Sequence, residues 1–203
     1  MSAMSAPQIH WANDEPYLTV PSHPHITITP YKDDPADLAA LVRIANDPRV
    51  GKWSFGRPYP FSLADARKRV DDNATQADAV ADLRAGRKVG VCPFTVVRWD
   101  GAYVGDFALF KKEEWEVAYA LDPEVHGRGV GTAVIRAVLE WAVAELGVRS
   151  VEATAQTANP ASTRMLEKLD FDRVEVKMLA WPEHNGGGER EVAVFRKQLA
   201  APQ

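Results

Sequence analysis

A glycine-rich turn between an alternating segment and a long helical one constrains this chain more than any other feature. The turn is His126-Gly127-Arg128-Gly129-Val130-Gly131-Thr132. Before it, Trp115, Val117, Tyr119 and Leu121 fall on one face of an extended segment, with Glu114, Glu116, Ala118 and Ala120 on the other. After it, residues 133–146 carry Val134, Val138, Ala142 and Leu146 as an apolar stripe, widened by Ile135 and Leu139. Gly147 ends that helix as a left-handed cap would. Val151, Ala153 and Ala155 then alternate with Glu152, Thr154 and Gln156, a second strand. Strand, turn, helix, strand predicts two parallel strands joined by a right-handed crossover. The turn also predicts an anion site. Glycines at every second position let the main chain approach a phosphate, and the helix N-terminus adds unpaired N–H groups and the positive end of its dipole.

The chain of 203 residues, 46% of them apolar, can bury one full core. Residues 1–24, rich in Ser, Pro, Ala and His, read as an N-terminal extension ordered only where Trp11, Tyr17 and Leu18 find a surface. Residues 25–200 read as a single domain. His23 and His25 flank Pro24 without a cysteine or acidic partner at ligand spacing, so they read as solvated loop histidines and no metal is expected. Ile26 and Ile28 mark a short strand. Asp33-Asp34-Pro35 opens a helix with Leu38, Leu41, Val42 and Ala45 on one face. Residues 49–61 form a loop whose Trp53, Phe55 and Tyr59 either line an acceptor pocket or plug the core. Ser62 and Asp65 start a second helix that runs toward Arg84, with a break near Asp71-Asp72-Asn73. Residues 91–99 and 103–110 are strands joined by Asp100-Gly101. Asn159-Pro160 begins a short helix with Met165, Leu166 and Leu169 inward. Residues 171–180 and 191–199 close the fold around a flexible Asn185-Gly186-Gly187-Gly188 loop.

A net charge of −4 and a pI near 5.8 argue against a nucleic-acid partner. A mildly acidic protein suits a cationic substrate such as an amine. The lone cysteine, Cys92, excludes an internal disulfide, fits a reducing compartment and reads as a buried, inert thiol. No apolar run approaches the roughly 18 residues of a membrane span, and the first seven residues lack a basic region, so a soluble, cytoplasmic protein is expected.

Two phosphate-binding families are excluded by detail. A P-loop needs a Gly-Lys-Ser/Thr that does not follow. The dinucleotide fingerprint needs its third glycine one residue later, and its acidic residue about 20 positions on is matched only loosely by Glu152. The frame His126, Gly129, Gly131 instead resembles the Gln/Arg-x-x-Gly-x-Gly/Ala signature of the GNAT superfamily of acyl-CoA-dependent N-acyltransferases. Asn159-Pro160-Ala161-Ser162-Thr163-Arg164-Met165-Leu166-Glu167-Lys168-Leu169-Asp170-Phe171 resembles that family's Asn-x-x-Ser-x-x-x-Leu-Glu-Lys-Leu-Gly-Phe segment. This version is typical of the branch that includes acetyltransferases of ribosomal-protein N-termini. The likeness spans residues 26–199, and residues 114–171 are its specific part. Three positions depart from the pattern. His126 replaces Arg or Gln, and Asp170 replaces a glycine at a turn whose left-handed geometry Asp tolerates. Leu166 stands where many relatives carry a tyrosine that protonates the leaving thiolate.

The resemblance implies a mixed α/β (α+β) fold with a twisted mixed sheet of about six to seven strands flanked by helices. It implies an acetyl-CoA-dependent N-acetyltransferase in which a primary amine, of a small molecule or a protein N-terminus, attacks the thioester directly in a ternary complex. On that footing the amides of Arg128, Gly129, Val130, Gly131 and Thr132 surround the pyrophosphate, with Leu121, His126, Asn159 and Ser162 also on the acetyl-CoA donor. Glu116 is the first choice to take the amine proton, and Ser162 and Tyr119 are candidates to protonate the thiolate. Trp53, Phe55 and Tyr59 are candidates for the acceptor. The competing reading is a non-catalytic, CoA-binding regulatory module of the same fold. Neither nucleic acid nor membrane is expected as a partner, and a homodimer is compatible with the sequence.

Overall fold

Nine strands form one open sheet in the computed structural model, which describes residues 7–72 and 74–200. The spatial order is β1 (Ile9–Ala12), β2 (Glu15–Thr19), β3 (Ile26–Thr29), β4 (Val96–Trp99), β5 (Ala102–Lys111), β6 (Trp115–Leu121), β7 (Ser150–Gln156), β9 (Glu189–Gln198) and β8 (Asp172–Ala180). Among the described residues, only β6 and β7 pair in parallel. The helices are α1 (Pro35–Asn46), α2 (Leu63–Asp71), α3 (Ala74–Arg84), α4 (Val130–Glu145) and α5 (Pro160–Lys168).

The sheet is larger than the expected six to seven strands, because residues 9–19 form a hairpin that joins it. Asn13 and Asp14 both have positive φ, 49° and 63°, the geometry of a tight hairpin turn. Leu18 of β2 is wholly buried, so the stretch expected as an extension contributes to the core. The first six residues of that stretch, and Asn73 in the expected helix break, lie outside the described residues. The expected strand at 91–99 begins only at Val96. Pro93 has no N–H to give a ladder. Asp100 and Gly101, with φ of 47° and 85°, make the predicted hairpin turn.

Two cores lie on the two faces of the sheet. On one, α4 buries Val130, Val134, Val138, Trp141 and Ala142 against Phe107, Val117, Val151, Ala153 and Phe195, and α5 adds Leu166. On the other, α1 and α2 bury Leu38, Leu41, Ile44 and Ala66 against Phe61, Val96 and Tyr103. Each fully buried leucine or isoleucine contributes about 1.5–3 kcal/mol, so neither layer is a loose attachment. Local chemistry starts these helices where the sequence indicates. The Asp34 carboxylate accepts the N–H of Ala36 and Asp37, and Ser62 with Asp65 closes a capping box.

One irregularity positions everything that follows. Parallel pairing of β6 with β7 is limited to Trp115 opposite Val151 and Glu116 opposite Glu152. All seven residues of β7 remain paired to β9. β6 therefore peels away from β7 after Glu116 and leaves a wedge that widens toward the glycine turn.

Candidate active site

The turn is built by three glycines for two different reasons. Gly127 and Gly129 have φ of 74° and 77°, where a β-carbon is strained. At Gly131 a β-carbon would stand 2.7 Å from Met165 Sδ and 3.1 Å from Leu121 Cδ1, so hydrogen there lets α4 seat against β6 and α5. Gly129 is the N-cap of α4, and no side chain caps that helix. Its first N–H bond runs from Ala133 to the Gly129 carbonyl, which leaves the amides of Val130, Gly131 and Thr132 without a helical acceptor. Those amides, with Arg128 and Gly129 just before them, sit at the positive end of a helix of 16 residues. Such a donor set fits a pyrophosphate.

Two histidines near the turn bond main-chain carbonyls. The His126 Nε2 donates to the Leu121 carbonyl at 3.0 Å and fastens the end of β6. His23, expected to be solvated, donates from Nε2 to the Arg128 carbonyl at 3.0 Å and braces the turn from outside. His25 instead meets Asp100 at 2.8 Å, so the two histidines have separate partners. The Arg128 guanidinium lies 5.6 Å from the centre of the Trp99 ring.

Register shows what lines the wedge. Leu121 faces Gly105 across the β5–β6 pair, and the Asp122 N–H bonds the Val104 carbonyl at 2.8 Å. That phase turns the main-chain groups of Tyr119 and Leu121 away from β5 and into the wedge. On the far side, Gln156 faces Val192 and the Thr157 N–H bonds the Glu191 carbonyl at 3.1 Å. The main-chain groups of Thr154 and Gln156 therefore face the wedge as well. An extended ligand carrying amides would meet donors and acceptors on both sides, as an added strand does.

Tyr119 and Ser162 are brought together, their hydroxyls 2.8 Å apart. Burial pushes the Tyr119 phenol up to about 12, the Ser162 bond offsetting part of the rise, so the phenol holds its proton at neutral pH. The Asn159 side chain caps α5 by accepting the Ser162 N–H at 3.3 Å. Leu166 is wholly buried one turn further on.

Glu116 stands apart from this pair. It lies on the α1/α2 face, opposite Glu152 in the last ladder pair before the wedge. Lys112 Nζ is 3.0 Å from one Glu116 oxygen, and Arg196 Nε is 2.9 Å from Glu152. Two carboxylates thus mark the apex of the wedge, each beside a cation. The hydroxyl pair approaches from one face of the sheet and the carboxylates from the other.

The α1/α2 face beyond Glu116 is bounded by two loops that interlock. Phe55 and Tyr59 are exposed, 47% and 37%, while Trp53 is half-buried under Lys52 Nζ, 4.5 Å from its ring centre. Phe55 also packs edge-on to Trp181, ring centres 5.1 Å apart. The loop at 185–188, expected to be flexible, is fixed. The Asn185 amide donates to the carbonyls of Ser54, Phe55 and Arg57 at 3.0, 3.1 and 2.7 Å. Arg190 donates to the carbonyls of Lys52 and Asn185 at 2.9 and 2.7 Å. Gly186, Gly187 and Gly188 all have positive φ and fold the chain back, so that the Trp181 N–H bonds the Gly188 carbonyl at 2.7 Å.

Arg57 ties the same wall to the sheet by pairing with Asp106 of β5, which is buried. Asp106 also accepts from the Tyr103 hydroxyl at 2.9 Å and the Tyr31 hydroxyl at 2.5 Å. Burial alone would raise this carboxyl, but Arg57 and Arg69 overcome it and hold it down at about 2. Sequence reasoning missed Asn185, Arg190 and this cluster. Asp106 did leave a signal, a charged residue inside an apolar strand, which must be paired if buried. Asn185 left none. Cys92 is buried, its thiol bonded to the Phe94 carbonyl at 3.3 Å and pushed up to about 12 by burial.

The chain belongs to the GNAT family of acetyltransferases. Residues 25–172 match the family model described as Acetyltransferase (GNAT) domain. The protein is an acetyl-CoA-dependent N-acetyltransferase with the mixed α/β fold of that family. Among its relatives is "Putative ribosomal N-acetyltransferase YdaF" of Bacillus subtilis (strain 168), 28% identical over 151 residues, 72% of this chain and 78% of that protein. Among solved structures, a GNAT-family acetyltransferase from Bacillus anthracis superposes with a TM-score of 0.66 at 19% identity, covering 86% of this chain and 95% of that one. Mycobacterium smegmatis RimJ, solved in complex with CoA-disulfide, gives a TM-score of 0.63 at 18% identity, covering 91% and 86%. No helix among the described residues is long and apolar enough to cross a membrane.

Proposed function

We propose that this enzyme acetylates the N-terminal amine of a protein, with the acetyl thioester held in the β6–β7 wedge. The observation that carries this reading is the wedge itself. It runs from the amides of residues 128–132 to the Glu116–Glu152 apex, a rise of about 16 Å along residues 117–121. Acetyl-CoA enters as a substrate whose pyrophosphate lies on those amides and whose pantetheine arm pairs with the main chain of Tyr119, Leu121, Thr154 and Gln156. The Asn159 and Ser162 side chains flank the arm at its sulfur end.

An alkylamine is mostly protonated near neutral pH, its pKa being about 10, and must lose a proton to attack. Glu116 takes that proton, directly or through one water, once Lys112 moves aside. The nitrogen lone pair adds to the thioester carbonyl, and a β6 main-chain N–H facing the wedge, that of Tyr119 or Leu121, stabilises the oxyanion. When the C–S bond breaks, the sulfur leaves as thiolate. Ser162 gives it a proton and recovers one from Tyr119; the attacking nitrogen sheds its second proton to water, and Tyr119 and Glu116 return to their starting protonation by exchange with solvent. The products are the N-acetyl amide and free CoA.

A protein N-terminus is favoured over a small amine because Phe55 and Tyr59 lie on an exposed rim rather than closed over the apex. The likeness to the Bacillus subtilis protein named as a putative ribosomal N-acetyltransferase supports the same acceptor. A cytoplasmic location, where a lone unpaired cysteine stays reduced, goes with this reading. The test is thiol release from acetyl-CoA with short peptides, their N-blocked counterparts and a panel of small amines. Transfer to the free peptide terminus, abolished by blocking it, is expected. Transfer to small amines alone would contradict the proposed acceptor.

A further inference from the structure

The sheet ends in two unequal edges. β1 is four residues long and offers little to pair with. β8 is nine residues long, lies outside β9, and its outer N–H and C=O groups meet no strand among the described residues. Val174, Val176 and Met178 are 48, 50 and 54% exposed along it. Val176 and Met178 stand opposite Ala193 and Glu191, on the face that carries α4 and α5, while Glu175 and Lys177 stand on the other face opposite Val194 and Val192. Natural edges of this length are usually blunted by proline, by uncompensated lysine or by bulges. β8 has no proline, its one lysine is paired with Glu175 at 2.8 Å, and its register shift is confined to the segment from Arg173 to Glu175.

We propose that β8 pairs antiparallel with β8 of a second copy of this chain, about a two-fold axis at Val176, joining two sheets edge to edge. An isologous contact must be self-complementary, and this strand is so in one register. With Val176 opposite itself, Glu175 faces the second copy's Lys177 and Lys177 faces its Glu175. On the other face Val174 meets Met178 and Val176 meets Val176. The alternation of faces is unbroken from Val174 to Met178, and the register shift between Arg173 and Glu175, which sets Asp172 and Ala180 on opposite faces, limits the pairing to that stretch. Moving the axis by one residue toward either end sets Lys177 against Lys177 or Glu175 against Glu175. A half-step sets Val176 against Lys177. Like charges directly opposite oppose pairing, and opposite charges favour it. This surface is independent of the wedge and of the acceptor reading.

The test is sedimentation velocity on the full chain and three charge variants, Lys177→Glu, Glu175→Lys and the double exchange, with circular dichroism as the check on folding. The wild type is expected to be a dimer. Each single reversal is expected to raise the dimer dissociation constant about tenfold or more, and the double exchange to restore it. Val176→Lys sets two ammonium groups against each other at the axis and is expected to give a monomer, which keeps the test decisive if a reversal misfolds. A monomeric wild type at every concentration, a dimer indifferent to the single reversals, or a double exchange that stays dissociated would each overturn the proposal. A monomer whose β8 instead takes up a strand from an acceptor protein counts among the first of these.

Discussion

In the proposed function, the donor side of this enzyme is made of backbone, and the acceptor side is made of side chains. The pyrophosphate cradle consists of amides that any residue could carry, shaped by Gly127, Gly129 and Gly131 and followed by a helix that starts without a cap. The proposed acceptor wall consists of Asn185, Arg190 and the Arg57–Asp106 pair, which hold the carbonyls and aromatic residues of one loop against another. A backbone site varies little with sequence, which suits a donor that never changes. A wall of side chains can be rebuilt residue by residue, which suits a variable acceptor.

That division can be broken from either side. The largest effect is expected at the apex, where the two sides meet. Glu116→Gln should lower kcat by about two orders of magnitude and leave acetyl-CoA affinity, read by calorimetry, unchanged. A mutant with normal turnover and pH profile would remove Glu116 as the base. Next, Gly129→Val forces a β-branched residue to φ near 77° at the cradle. It should weaken acetyl-CoA binding about ten- to a hundredfold by calorimetry, while acceptor preference in the peptide assay stays the same. Asn185→Ala is the mirror image. It strips the donor from three loop carbonyls, costs about 1–3 kcal/mol of stability in denaturant titration, and should raise the acceptor KM with acetyl-CoA affinity unaltered.

The smallest effect is one of pH. The Asp106 carboxyl is held at about 2, below its ordinary 3.8, so the folded state binds fewer protons than the unfolded one between those values. Its contribution is therefore fully present above about pH 4 and lost as pH falls toward 2, a change of about 2 kcal/mol. Urea titrations at pH 5 and pH 3 should show about half of this loss in the wild type and a flatter response in Asp106→Asn.

The same division explains what could be read in advance. Residues 114–171 were legible because their structure is local: period-2 alternation, glycine spacing, a 3.6-residue stripe and an Asn-Pro helix start all act within a few residues. Asn185 was not legible, because its partners lie about 130 positions away in sequence and are main-chain carbonyls, which have no residue type. His126 and His23 show a related limit. His126 in the turn suggests a ligand contact and His23 reads as a solvated loop residue, yet both spend an N–H on a carbonyl of this chain. β1 and β2 were hidden for a different reason. They are short, and Pro16 and Trp11 obscure their alternation, although Asn13-Asp14 carried a turn signal at their junction.

The most direct test is a crystal structure of the complex with CoA. The pyrophosphate oxygens should lie about 3 Å from the amide nitrogens of residues 128–132, with the arm in the wedge and the sulfur beside Ser162, on the approach to the Glu116–Glu152 apex. Phosphates bound away from the turn, or a complex in which β6 and β7 close into a continuous ladder, would contradict it.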